Sequence, residues 1–145
     1  MNRKIDFLKI TYNVSCFGII LTLLISGIAK FIEPTYTVET LKELGLFDEN
    51  FALIIASILP FIEIASAIGI LTKTKPKIVF TLVFSLFSVF LLVSIAGTIL
   101  EIDADCGCFG TAISSKYGYE MIIRNLILLG IAYFTFHFNV LRKTV

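Results

Sequence analysis

Two thiols separated by a single glycine, Cys106 and Cys108, lie in the run Asp105-Cys106-Gly107-Cys108-Phe109-Gly110. A sulfur pair at this spacing has more than one chemistry open to it. A disulfide between residues i and i+2 closes a tight ring, but the Cα separation of ~4.4–6.8 Å that it needs is attainable in an extended pair. Gly107 relaxes the backbone between the sulfurs. Such a bond closes almost no loop and so constrains the unfolded chain little. Its strain makes it easy to reduce, which suits thiol–disulfide exchange better than a structural staple. The rival chemistry is a soft metal held by both sulfurs with Asp103 and Asp105. A tetrahedral zinc site usually gathers four Cys and His ligands, and the sole histidine, His137, belongs to the far end of the last apolar segment. We therefore assign no metal ligands and take Cys106 and Cys108 as candidate catalytic residues, with metal binding and cysteines of no present role left open. Asp103 and Asp105 disfavour a thiolate, whereas a nearby Lys30 or Arg124 would favour it; the balance helps to set oxidant or reductant character.

The segments that must position these thiols are apolar. Hydrophobic residues make up 57% of the 145-residue chain and charged residues 16%, against roughly 45–50% and about 25% in soluble domains. A net charge of +1 offers nothing to a nucleic acid, and the natural solvent for this composition is the lipid bilayer. Four stretches, about 10–31, 51–71, 78–100 and 120–140, reach the ~20 residues of a spanning helix. None alternates with period two, and lipid satisfies no backbone polar group, so all are predicted helical. The expected architecture is all-α: a polytopic membrane four-helix bundle forming one domain over 1–145. The first stretch could instead be a signal peptide, with Arg3, Lys4 and Lys9 as its basic region and Gly27-Ile28-Ala29 as a cleavage site. It is longer than the usual apolar core of ~7–15 residues, which favours a retained helix.

Charge asymmetry orients the bundle. One side carries Arg3, Lys4, Lys9, Lys73, Lys75, Lys77, Arg142 and Lys143; the opposite loops carry Glu33, Glu39, Glu43, Asp48, Glu49, Glu101, Asp103 and Asp105. Short basic loops stay in the cytoplasm, so both termini are expected inside a bacterial cytoplasmic (inner) membrane. The cysteine loop then faces the periplasm or cell exterior, where disulfides persist. In the other periplasmic loop, Thr37 is expected to cap a short lid helix over 38–44 that ends at Gly45. Its Val38, Leu41 and Leu44 would share a face that can lie on the membrane surface, and the helix reads as a lid shielding the bundle mouth rather than a binding element.

Within the spans, polar residues stand out. Glu63 falls near the middle of the second, where an isolated carboxylate costs a few kcal/mol, so it is either protonated or paired. Lys30 and Arg124 are the available cations, and rise arithmetic puts Glu63 roughly 10–15 Å deeper than Lys30. Long side chains, water or a kink at Pro60 must close that gap. A buried ion pair locking the bundle and a polar site for a proton or quinone headgroup are both open. The stripe Gly18, Thr22, Ser26, Lys30 is expected to meet Ala56, Pro60, Glu63 and Ala67 of the second helix. Cys16 reads as a small core residue, His137 as interfacial, and Tyr12, Tyr36, Tyr117, Tyr119 and Tyr133 as interface anchors. Arg124-Asn125 places a charge and an amide just after the cysteine loop.

On these motifs the chain resembles the MauE family, named for methylamine utilisation, within the DoxX-like four-helix membrane proteins. The resemblance rests on Ser26-Gly27-Ile28-Ala29-Lys30-Phe31, Pro60-Phe61-Ile62-Glu63, Cys106-Gly107-Cys108-Phe109-Gly110 and Arg124-Asn125, and spans nearly the whole chain. It implies a membrane redox accessory protein, a thiol–disulfide oxidoreductase if an enzyme at all, working with a separate periplasmic thioredoxin-like partner. Lys30, Glu63, Gly107, Phe109, Gly110, Arg124 and Asn125 would support the cysteines, and the DoxX-like side hints at quinone as a cofactor. The alternative is a non-catalytic membrane assembly or maturation factor whose cysteines bind metal or regulate contact.

Overall fold

In lipid an apolar run must satisfy its own backbone, and the chain does so in long helices. The computed structural model describes residues 2–45, 48–100 and 118–142, with side chains described over 7–45, 48–100 and 118–138. The elements are α1 (Asn2–Ile32), α2 (Thr35–Glu43), α3 (Glu49–Leu71), α4 (Pro76–Ile99) and α5 (Tyr119–Arg142), with no strand among the described residues. Four segments are long and apolar enough to cross a membrane: Phe7–Ile32, Glu49–Leu71, Pro76–Ile99 and Tyr119–Phe138. Each long helix turns large apolar side chains outward, such as Phe17, Phe61, Leu92 and Ile127. In water these would drive aggregation; in a bilayer they face hydrocarbon.

The long helices close into a ring: α1 packs chiefly on α3 and α4 chiefly on α5, with α3 touching α4 and α1 touching α5. Ring contacts fix the relative sense of two pairs: Tyr12 meets Phe138, and Phe84 meets Tyr133, so α5 runs antiparallel to both α1 and α4. The interior is divided along its length. Toward the α3–α4 turn it is apolar, built from Ile19, Leu23, Ala67, Ile70, Phe80, Val83, Phe87 and Ala132, with the half-buried Cys16 packed against it as a core residue. Beyond that layer the buried side chains include Ser26, Lys30, Glu63, Ser94 and Asn125.

The α3–α4 turn is tight, with Lys73 and Lys75 both left-handed at φ 54° and 38°. A non-glycine residue there costs roughly 1–2 kcal/mol. Pro76, in the first turn of α4, then fixes the helix start. α3 continues as helix through Pro60.

Three expectations change. The lid helix begins at Thr35 after Pro34, so Thr37 is not its cap but a buried residue inside it. Gly45 does end it in the left-handed conformation, at φ 67°. Its buried face is Thr37, Thr40, Leu41 and Leu44, and α2 packs on α3, so Leu41 and Leu44 are not free for a membrane surface. Finally, Gly18 is exposed with open space around it, while Gly27 is the point where α1 and α3 approach. A four-residue repeat advances about 40° per step on a helix of 3.6 residues per turn. Over the twelve residues from Gly18 to Lys30 the expected stripe therefore drifts off the packed face.

Candidate functional site

The polar centre is built on the α1–α3 contact. A Cβ at Gly27 would stand 3.2 Å from the carbonyl oxygen of Pro60 and 3.3 Å from the Cβ of Glu63. Because α1 has only hydrogen there, Glu63 comes level with Gly27 rather than with Lys30. Lys30 is one turn further along, and helical side chains lean toward the N-terminus of their own helix. The lysine stem therefore reaches back along α1, and Nζ donates to Glu63 Oε1 at 2.9 Å. Nζ also donates to the hydroxyl of Ser26, one turn earlier on α1. Phe90 of α4 places its ring face 4.9 Å from the same ammonium, a cation–π contact strengthened by exclusion from water.

The expected gap of 10–15 Å between Lys30 and Glu63 is absent. That estimate assumed helices sharing both membrane rims. Instead α1 stops at Ile32, only five residues past Gly27, while α3 begins at Glu49, fourteen residues before Glu63. The helices are staggered, and α2 packs on α3. Lys42 of α2 and Glu49 at the start of α3 pair at 3.4 Å, both exposed.

Both charges are withdrawn from solvent, Lys30 at 1% exposure and Glu63 at 0%. Attraction between them must offset a desolvation penalty of several kcal/mol per ion, which direct hydrogen bonding makes tolerable. The second carboxylate oxygen, Oε2, is buried with no hydrogen-bond partner among the described residues.

A second polar contact lies on the α4–α5 side. Asn125 is buried, and its amide donates to the hydroxyl of Ser94 and, at 3.4 Å, to the carbonyl of Phe90. Ser94 donates to that same carbonyl at 2.7 Å. Phe90 thus joins the two halves: its ring covers the Lys30 ammonium while its carbonyl anchors Asn125 of α5. Arg124 is half-buried beside Asn125.

Of the expected site residues, Lys30 and Glu63 are brought into direct contact, and Asn125 is connected to them through Phe90. Glu63 pairs with Lys30 rather than with Arg124. Cys106, Cys108, Gly107, Phe109 and Gly110, with Asp103 and Asp105, lie outside the described residues. Phe90 is ten residues, roughly 15 Å of helix, before Leu100, after which that segment begins. Sequence reasoning missed Phe90 and Ser94, and took Ser26 only for a packing residue. Ser26 had a usable signal, four residues before Lys30 on one helical face. Phe90 had none, being one of many phenylalanines in an apolar helix.

Among the described residues no three potential metal ligands converge. A family model described as Methylamine utilisation protein MauE matches residues 8–138, a stretch that includes the cysteine run and every residue of the polar centre. No curated protein and no solved structure matches the chain.

Proposed function

The chain belongs to the MauE family, a family of multi-pass membrane proteins, and from that premise we propose that it exchanges disulfides between the Cys106/Cys108 pair and a periplasmic thioredoxin-like protein. The observation that carries the reading is the Cys106-Gly107-Cys108 run between the two last spanning helices, inside the matched stretch. One sulfur, as thiolate, attacks a disulfide of the partner; a mixed disulfide forms and one partner thiolate leaves. The second sulfur then attacks its neighbour in the mixed disulfide, closing the Cys106–Cys108 bond and releasing the partner as a dithiol. The pair loses two electrons and two protons, and the partner gains both. The reverse sequence oxidises the partner instead. The family's description names methylamine utilisation; in this reading the chain serves it by maturing a disulfide-containing client.

Lys30, Glu63 and Arg124 are the residues that would hold a quinone headgroup, with Glu63 Oε2 a buried acceptor for a quinol hydroxyl. Bound there, the quinol form would return two electrons and two protons to the Cys106–Cys108 disulfide in the first direction, and the quinone form would take them from the dithiol in the reverse. A second reading, a non-catalytic membrane assembly or maturation factor, draws support from the complete burial of the Lys30–Glu63 pair. A closed ion pair suits a lock as well as a reactive centre.

Single-cysteine variants separate the readings. Cys106→Ser and Cys108→Ser should each abolish exchange, since one attacking and one resolving sulfur are required. One of the two should accumulate a reductant-sensitive adduct with a thioredoxin-like protein on a non-reducing gel. Cys16→Ser should behave as wild type. If neither variant traps a partner and the double variant still supports the native pathway, the exchange reading is wrong and the assembly factor replaces it.

A further inference from the structure

On the opposite side of the bundle from the α1–α3 contact, α4 and α5 leave a groove of about 150 Å³ between them, lined by Thr81, Phe84, Tyr133 and Phe136. The rings of Phe84 and Tyr133 are tilted to one another with centroids 6.5 Å apart. The Thr81 hydroxyl is turned back onto the carbonyl of Lys77 at 2.8 Å, which leaves its methyl for the groove. No set of donors and acceptors converges there, so the groove suits hydrocarbon rather than a polar headgroup. Its size is well below the roughly 300–1,000 Å³ of small-molecule pockets. It matches part of an extended chain.

What stands at its end is charged. Lys77, exposed, is one helical turn from Thr81 toward the α3–α4 turn, and Lys75 and Lys73 follow in that turn, both exposed. No acidic residue occurs between Thr72 and Thr81. Side chains on α4 lean toward its N-terminus, and lysine stems snorkel toward the interface. The Lys77 ammonium is therefore carried toward the groove's end, where the headgroup of a lipid would lie if its chain occupied the groove, with Lys75 and Lys73 in the adjoining turn at the same end of the bundle. On the α5 side, the ring of His137 is tilted against that of Tyr133 with centroids 6.0 Å apart, and His137 is exposed.

We infer that the α4–α5 groove and the Lys73, Lys75, Lys77 cluster form a site for an anionic phospholipid, its acyl chain against Thr81, Phe84, Tyr133 and Phe136 and its phosphate at the lysines. A zwitterionic lipid can offer the same chain. Only an anionic one offers net charge to a cluster with no acidic counterweight in its own segment, and basic clusters at the interface favour anionic lipids on these terms.

The test uses the full-length protein in phosphatidylcholine vesicles carrying a trace of spin-labelled phosphatidylglycerol or spin-labelled phosphatidylcholine. Electron paramagnetic resonance then measures how strongly each label is immobilised by the protein. The wild type should prefer phosphatidylglycerol by at least roughly fivefold, the effect of a single surface lysine. Replacing Lys73, Lys75 and Lys77, all exposed, by alanine should reduce that preference to less than twofold even though Lys9, Arg142 and Lys143 remain on the same side. Thr81→Phe, which fills the groove without changing charge, should reduce it to less than twofold. Lys42→Ala, which removes an exposed lysine of α2, should leave it intact. A preference that survives the triple variant overturns the lysine site. One that survives Thr81→Phe overturns the groove, leaving only diffuse attraction to a basic surface.

Discussion

At the scale of single residues, the Lys30–Glu63 pair is the feature whose removal should be felt most. Lys30→Met leaves a carboxylate buried without its cation, and breaking a buried pair from one side costs roughly 3–5 kcal/mol. Thermal unfolding in detergent should show that loss. The double variant Lys30→Met with Glu63→Leu should be less destabilised than Lys30→Met alone, because an apolar pair removes both desolvation penalties. Strict additivity of the two changes would mean that the groups do not act as a pair. Glu63→Gln separates lock from reactive centre. A lowered melting temperature with exchange retained marks a lock, and lost exchange in a protein of unchanged stability marks a centre. Full activity with unchanged stability would refute both.

Between elements, two contacts set the geometry of that pair. The first is the α1–α3 approach at Gly27, where an added Cβ would meet Ile64 Cγ1 at 2.9 Å as well as the Pro60 carbonyl. Gly27→Ala should therefore push α1 from α3 and destabilise by about 1–3 kcal/mol, the usual range for overpacking. Gly18→Ala, on the same helix with nothing near it, should leave the melting temperature unchanged or slightly raised, since alanine is the better helix former. Equal effects at both positions would contradict the described packing. The second contact is Asn125 with Ser94 and the Phe90 carbonyl. Asn125→Ala should cost about 1 kcal/mol, the scale of interhelical hydrogen bonds in lipid, read as a modest fall in melting temperature.

For the whole molecule the decisive property is orientation. Eight of the twelve basic residues lie at the termini and the α3–α4 turn, and eight of the eleven acidic ones, at 33–49 and 101–105, in or beside the other two loops; short basic loops are retained in the cytoplasm. After reduction, a membrane-impermeant thiol reagent applied to spheroplasts should label Cys106 or Cys108 and spare Cys16, which is half-buried in α1. Labelling that appears only once the inner face is opened would reverse the orientation and remove the periplasmic partner with it.

The number, kind and approximate limits of the spanning helices were legible in the chain, because hydrocarbon leaves an apolar run of that length no alternative to helix. So was the need of Glu63 for a partner, since burial of a lone carboxylate is expensive wherever it occurs. The helix of the first loop was legible as an element, and Gly45 as its end, but not its start at Thr35 or its packing on α3. The identity and closeness of the partner of Glu63 were decided by tertiary structure alone. Whether Lys30 reaches Glu63 depends on the stagger between α1 and α3, and stagger depends on where a glycine lets two backbones meet. Residue counting along separate spans contains no such information. Phe90 shows the same limit: nothing in its type or spacing marks it, and only the packing of α4 across the bundle sets its ring over Lys30 while its carbonyl holds Asn125.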